Sequence, residues 1–142
     1  MDNEESENYI EEYIRELDYG TEILESFAAS LNALGYLIIS YGAEIDIYDI
    51  ITNNEVDITS AEVTVLGQLL IAIGYCLLWI VSIRRIYSRH LRNEYLNENN
   101  YLPAYKALED SYLLSVLANL LRFQAFFEIL LNRYNNSDDN YE

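Results

Sequence analysis

Apolar positions recur through the first forty residues in alternating steps of four and three. Ile10, Ile14, Leu17, Thr21, Leu24, Ala28, Leu31, Gly35 and Ile38 form one stripe, with Glu11, Glu12, Glu22 and Glu25 on the other faces. This heptad spacing predicts a helix with a packing seam over roughly residues 6–41, ended by Gly42. Gly20 either interrupts it before a new cap at Thr21 or is carried through. Between 44 and 58 the pattern is ambiguous. Ile45 and Ile47 alternate with Glu44, Asp46 and Tyr48 ahead of the pair Asn53-Asn54, which fits a small hairpin as well as a loop with one helical turn.

The next helix is announced more clearly. Thr59 and Glu62 match the capping box, and Ile58 and Val63 take the staple positions around it. The helical pattern then runs over about 60–96, through Ile86, Tyr87, Leu91 and Tyr95, and stops in Asn97-Glu98-Asn99-Asn100. A third helix starts near Pro103, a residue favoured in a first turn, and continues to about Tyr134. Its stripe is Leu113, Val116, Leu117, Leu120, Phe123, Phe127, Leu130, Leu131 and Tyr134. The expected fold is all-α: three long helices in an antiparallel bundle, either membrane-embedded or oligomeric. One domain covers 1–134, and residues 135–142 form an acidic, flexible tail.

The centre of the pattern is Val63 to Ile83, 21 residues without a charge. As a helix it spans about 31 Å, the thickness of a bilayer's hydrocarbon layer. Between Leu69 and Ile83 it is apolar nearly all round, so it must be covered on every side. Two partner helices cover only part of that circumference. Lipid or further copies of the chain must cover the rest. Gly67 and Gly74 share a face with Thr64, Gln68, Ile71 and Ser82 close by, a surface on which another helix approaches closely, in lipid or in a soluble bundle.

Charge decides between these environments in part. The chain carries 24 acids against 8 bases, a formal charge of -16. So acidic a surface argues against nucleic acid as a partner. Acids dominate up to Glu62, where Arg15 is the one base, whereas Arg84, Arg85, Arg89 and Arg92 follow the apolar run within ten residues. By the positive-inside rule that basic flank lies in the cytoplasm. Ser26 to Ala43, 18 uncharged residues, is just long enough to cross as well. A two-span hairpin would then leave the base-free segment 44–62 outside and both termini inside. The N-terminal segment Met1-Asp2-Asn3-Glu4-Glu5 is acidic where a cleaved export signal is basic.

Little else in the chain carries chemistry. His90 is the one histidine and Cys76 the one cysteine, which rules out paired-His metal sites and Ser-His-Asp constellations within the chain. The N-terminal glutamates lack the Glu-x-x-His pairs of di-iron bundles and the spacing of calcium loops; they read as a solvated face. No cofactor motif, phosphate loop or nucleophile elbow occurs. Leu31–Ile38 and Leu70–Leu77 align weakly through Gly35 and Gly74, as two similar apolar helices or as a duplicated unit.

The stretch Thr59 to Gly74 resembles an L-G-x-x-L-x-A-x-G helix pattern of small helical clostridial proteins of unknown function, through Leu66, Gly67, Leu70, Ala72 and Gly74. That resemblance implies a helix and supplies no catalytic residue.

The expected function is that of a non-enzymatic helical interaction or assembly protein, membrane-anchored through 63–83. It would self-associate through Thr64, Gly67, Ile71, Gly74 and Ser82, and its acidic N-terminal helix would face a basic partner protein. The alternative is a soluble, cytoplasmic homo-oligomeric bundle acting as a scaffold subunit.

Overall fold

The computed structural model describes the backbone of residues 3–52 and 58–138, and the side chains of 8–52 and 58–135. These residues form three helices: α1 (Asn3–Thr52), α2 (Ile58–Tyr95) and α3 (Leu102–Asp138). There is no strand among the described residues.

The first helix departs from the sequence expectation at its end. It runs unbroken through Gly20 and Gly42 and continues to Thr52, so residues 44–52 are helical rather than part of a hairpin, and 53–57 lie outside the described residues. The physical reason lies in what Gly42 touches. No glycine has a positive φ, the conformation a C-terminal helix glycine supplies. A Cβ on Gly42 would instead lie 2.7 Å from the Thr64 hydroxyl and 3.1 Å from the Ser60 carbonyl oxygen. Its use is close approach, not termination. The seam therefore does not stop near residue 41. Ile14, Thr21, Ala28, Gly35, Gly42 and Asp49 are all buried, one per heptad, along the whole helix.

The second helix begins at Ile58, which puts Thr59 inside its first turn, and Glu62 accepts a hydrogen bond from the Tyr134 hydroxyl. It ends at Tyr95, ahead of the polar segment where the pattern stops. Asn97 takes the left-handed conformation (φ 52°), which Asn tolerates better than most residues. The Glu98 amide donates to the Arg92 carbonyl at 3.2 Å. Asn93 closes the turn by accepting from the Asn100 amide at 2.8 Å and donating to the Asn100 carbonyl at 3.0 Å. The third helix starts at Leu102 with Pro103 in its first turn and runs to Asp138. Asn135–Asp138, expected in the tail, continue the helix, while 139–142 lie outside the described residues.

Helices α1 and α3 both run antiparallel to α2 and pack against it, but they do not touch each other through their backbones. On α2 the two seams are offset by one residue. Ser60, Gly67, Gly74, Val81 and Ser88 are buried on the α1 side; Ala61, Gln68 and Ser82 are buried on the α3 side. One residue is about 100° of helix rotation. The two flanking helices therefore stand near a right angle about α2, which leaves its remaining face, with Leu66, Leu69, Ile73 and Ile80, exposed.

Candidate functional site: two seams around a charge-free section

The α1–α2 seam is built from small residues. A Cβ on Gly35 would lie 2.6 Å from the Gly67 carbonyl oxygen, and one on Gly67 would lie 2.7 Å from the Gly35 carbonyl oxygen. One heptad away, Gly74 lies against Ala28, whose carbonyl oxygen would be 2.9 Å from an added Cβ, and against the Asn32 side chain. Backbone meets backbone here. Such close backbone contact maximises dispersion between the two helices. Ile71, fully buried, fills the space that Gly35 leaves.

Of the expected association face, Gly67, Gly74 and Ile71 meet α1, and Thr64 borders Gly42. Ser82 shares the other stripe with Gln68 and turns its hydroxyl back onto the Trp79 carbonyl at 2.6 Å. In a single copy the glycine face is thus occupied by the chain's own first helix, and a second copy would have to use another surface.

The α2–α3 seam holds a polar clamp. Gln68 (2% exposed) donates to both the side-chain and main-chain oxygens of Asn119 (3% exposed), at 3.0 and 3.2 Å. The Asn119 amide in turn donates to the Ser115 carbonyl at 2.8 Å. A buried amide pair of this kind fixes register, because slipping by one turn would strand both groups.

These contacts set the relative height of the three helices. Residues 26–43, 63–83 and 111–127 lie side by side and contain a single charge, Arg122. Their exterior is aliphatic and aromatic, with Phe27, Leu34, Leu37, Leu69, Ile73, Leu117 and Leu121 all exposed. Each of the three helices is long and apolar enough to cross a membrane.

Beyond Ile83 the character reverses. The exposed large apolar side chains there are all tyrosines: Tyr9, Tyr13, Tyr19, Tyr87, Tyr95 and Tyr101. The seam is ionic. Arg85 forms a fork with Glu25 and also reaches Glu22 at 2.9 Å. Arg92 bridges Asp18 at 2.9 Å and Glu98 at 3.1 Å, and the Ser88 hydroxyl donates to Asp18 at 2.5 Å. Burial pushes the Asp18 carboxyl up, but the hydrogen bonds from Ser88 and Arg92, with the charges of Arg92 and Arg89, outweigh it and hold it below the usual carboxylate value. Arg89 stacks over Tyr105 at 5.7 Å.

The four arginines that the sequence offers as one basic flank are thus divided. Arg85 and Arg92 are neutralised by α1, Arg89 ties α2 to α3, and the Arg84 side chain lies beside Gly20, 3.3 Å from where a Cβ would be. At the opposite end Ser60 donates to Asp46 at 2.6 Å and accepts from Arg133 at 2.7 Å, with Arg133 and Asp46 3.7 Å apart.

Sequence reading missed the acids that partner Arg85 and Arg92. The heptad pattern sets Glu22 and Glu25 on faces away from the seam and gives Asp18 no role, and only the antiparallel register with α2 brings these three to Arg85 and Arg92. The available signal for Gly42 was the heptad itself, which continues unbroken past residue 41. Among the described residues no three of His, Cys, Asp or Glu gather as a metal site would require. No family model, curated protein or solved structure matches this chain, so its similarity to known proteins assigns it no family.

Proposed function

We propose that the protein is a membrane-anchored helical interaction protein without catalytic activity, in which α1, α2 and α3 all cross the bilayer. The observation that carries this reading is the alignment of three nearly charge-free sections behind one apolar exterior. A water-soluble monomer would not leave so much contiguous aliphatic surface exposed. The height of these sections, about 26–31 Å for 17 to 21 residues, fits the hydrocarbon layer.

Orientation follows from the bases. Arg15, Arg84, Arg85, Arg89, Arg92 and Lys106 all belong to one end of the bundle, and only Arg133 stands at the other. The first end faces the cytoplasm. The end formed by Thr52, Ile58 and the last turn of α3 faces outward, which replaces the two-span hairpin with three spans. On the cytoplasmic side, exposed Glu11 and Glu16 offer a contact for a basic partner.

Fractionation with an alkaline carbonate wash tests the reading. The protein is expected in the washed membrane pellet and, after detergent extraction, in micelles. Recovery from the soluble fraction without detergent would sink it, and a concentration-dependent soluble oligomer in sedimentation would put a homo-oligomeric bundle in its place.

A further inference from the structure

Arg122 is the one charged side chain in the apolar section, and the fold places it at an unfinished corner. In a closed three-helix bundle α1 and α3 would touch. Here their backbones do not, the Asp46–Arg133 ion pair crossing between them at one end, and the seams on α2 stand about 100° apart. With neighbouring helices packed about 9 Å apart, that angle sets α1 and α3 about 14 Å from each other, the diagonal of a four-helix square. Three corners are filled by this chain. That diagonal forms a groove on the outside of the bundle, and at one end of it lies a cavity of about 110 Å³ lined by Asp46 of α1, Ala61 and Thr64 of α2, and Phe126, Ile129 and Arg133 of α3.

Arg122 lies on α3 seven residues from Ile129, hence on the same stripe bordering that groove. It is near enough to Tyr75 of α2 to act on it electrostatically. The side chain is exposed, and among the described residues it makes no ion pair. An unpaired arginine about 9 Å inside Glu128, the nearest charge on its own helix, is costly in hydrocarbon and marks a functional position. A second copy in the same orientation cannot neutralise it, because 26–43, 63–83 and 111–127 contain no acid.

Resting on the membrane reading above, we propose that the groove between α1 and α3 seats a transmembrane helix of a different protein, which carries one carboxylate in its apolar stretch to pair with Arg122. The square geometry calls for a cylinder about 10 Å across, and the lone charge calls for an acid within the hydrocarbon rather than at its rim. A lipid phosphate sits outside that depth.

The test reconstitutes the full chain in phosphatidylcholine vesicles with synthetic Leu/Ala transmembrane peptides of about 23 residues. Each peptide has a single Glu at its centre or one turn to either side, or Gln at the same places, and transfer from Trp79, the one tryptophan, to an acceptor on the peptide reports association. At least one Glu peptide is expected to bind about tenfold tighter than its Gln counterpart. That margin should vanish in Arg122→Leu and persist in part in Arg122→Lys.

Equal binding of Glu and Gln peptides to the wild-type chain overturns the proposal. So does a margin that survives in Arg122→Leu. Loss of spin-labelled phosphatidylglycerol contact in that variant, with no Glu preference in the wild type, would assign Arg122 to lipid instead. If Arg122→Leu does not fold, the wild-type contrast and Arg122→Lys still decide. A chain that does not enter vesicles at all overturns the membrane reading together with this one, whereas an inserted chain without the preference overturns only this one.

Discussion

The two halves of α2 face the same neighbours by opposite means. From Val63 to Val81 the helix meets α1 through glycine and small side chains and meets α3 through one buried amide pair. From Arg85 to Arg92 it meets α1 through arginine–carboxylate pairs and α3 through a cation stacked on a tyrosine. The exteriors invert in parallel: aliphatic around the first half, charged and tyrosine-studded around the second. On the membrane reading proposed above, the difference teaches that the surrounding medium selects the glue. Where apolar surroundings remove the hydrophobic gain of association, close backbone approach and buried hydrogen bonds do the holding. Where water is present, charged side chains are cheap to place and pair across the seam, although each exposed pair contributes little.

The sharpest way to break this comparison is to insert bulk into the glycine contact. Gly67→Leu is expected to cost about 3 kcal/mol or more and to separate α1 from α2, since its first carbon already meets the backbone of Gly35. Reversible unfolding in mixed detergent micelles measures it. Next in size is Gln68→Leu, which leaves the Asn119 side-chain oxygen buried without its donor at a cost of about 1–3 kcal/mol. The double variant with Asn119→Leu should recover most of that, a sign that a double-mutant cycle reads directly.

At the charged end, Arg92→Met is expected to cost about 1 kcal/mol, less as salt is raised, whereas the Gly67 and Gln68 effects should not respond to salt. The same end should answer to acid. Asp18 is held below its ordinary value, so its contribution is fully present above the unfolded carboxylate value near 4 and is lost as pH falls through the lowered folded value. Amide exchange in residues 10–25 and 84–95 should accelerate below about pH 4 while that of 63–83 does not; uniform behaviour would erase the distinction. The smallest effect belongs to Gly20→Ala. Its Cβ would meet only the movable tip of Arg84 at 3.3 Å, so the usual gain in helix propensity, up to about 1 kcal/mol, should survive. A loss comparable to that at Gly67 would show that the two ends are packed alike.

Periodicity carried most of the fold because it is a local property. The stripe from Ile10 to Ile38, the stop at Asn97–Asn100 and the start at Pro103 all depend on neighbours within a turn or two. The end of α1 was illegible for the opposite reason. A glycine that terminates a helix and a glycine that admits another backbone look alike in sequence, and only the presence of Ser60 and Thr64 opposite Gly42 separates them. The arginines after Ile83 were visible as a cluster, but their partners lie about 60 to 75 residues away in the chain.

By itself the sequence determined that there are three long helices, that residues 63–83 cannot be covered by their own chain, and that the bases collect after that run. Spacing and burial cost alone fix these. Tertiary structure decided which faces meet: that α1 takes the glycine stripe, that Gln68 finds Asn119, and that the backbones of α1 and α3 stay apart. Those outcomes depend on register between distant segments, and register is set by many small packing and hydrogen-bond terms acting together, none of which any single stretch of sequence contains.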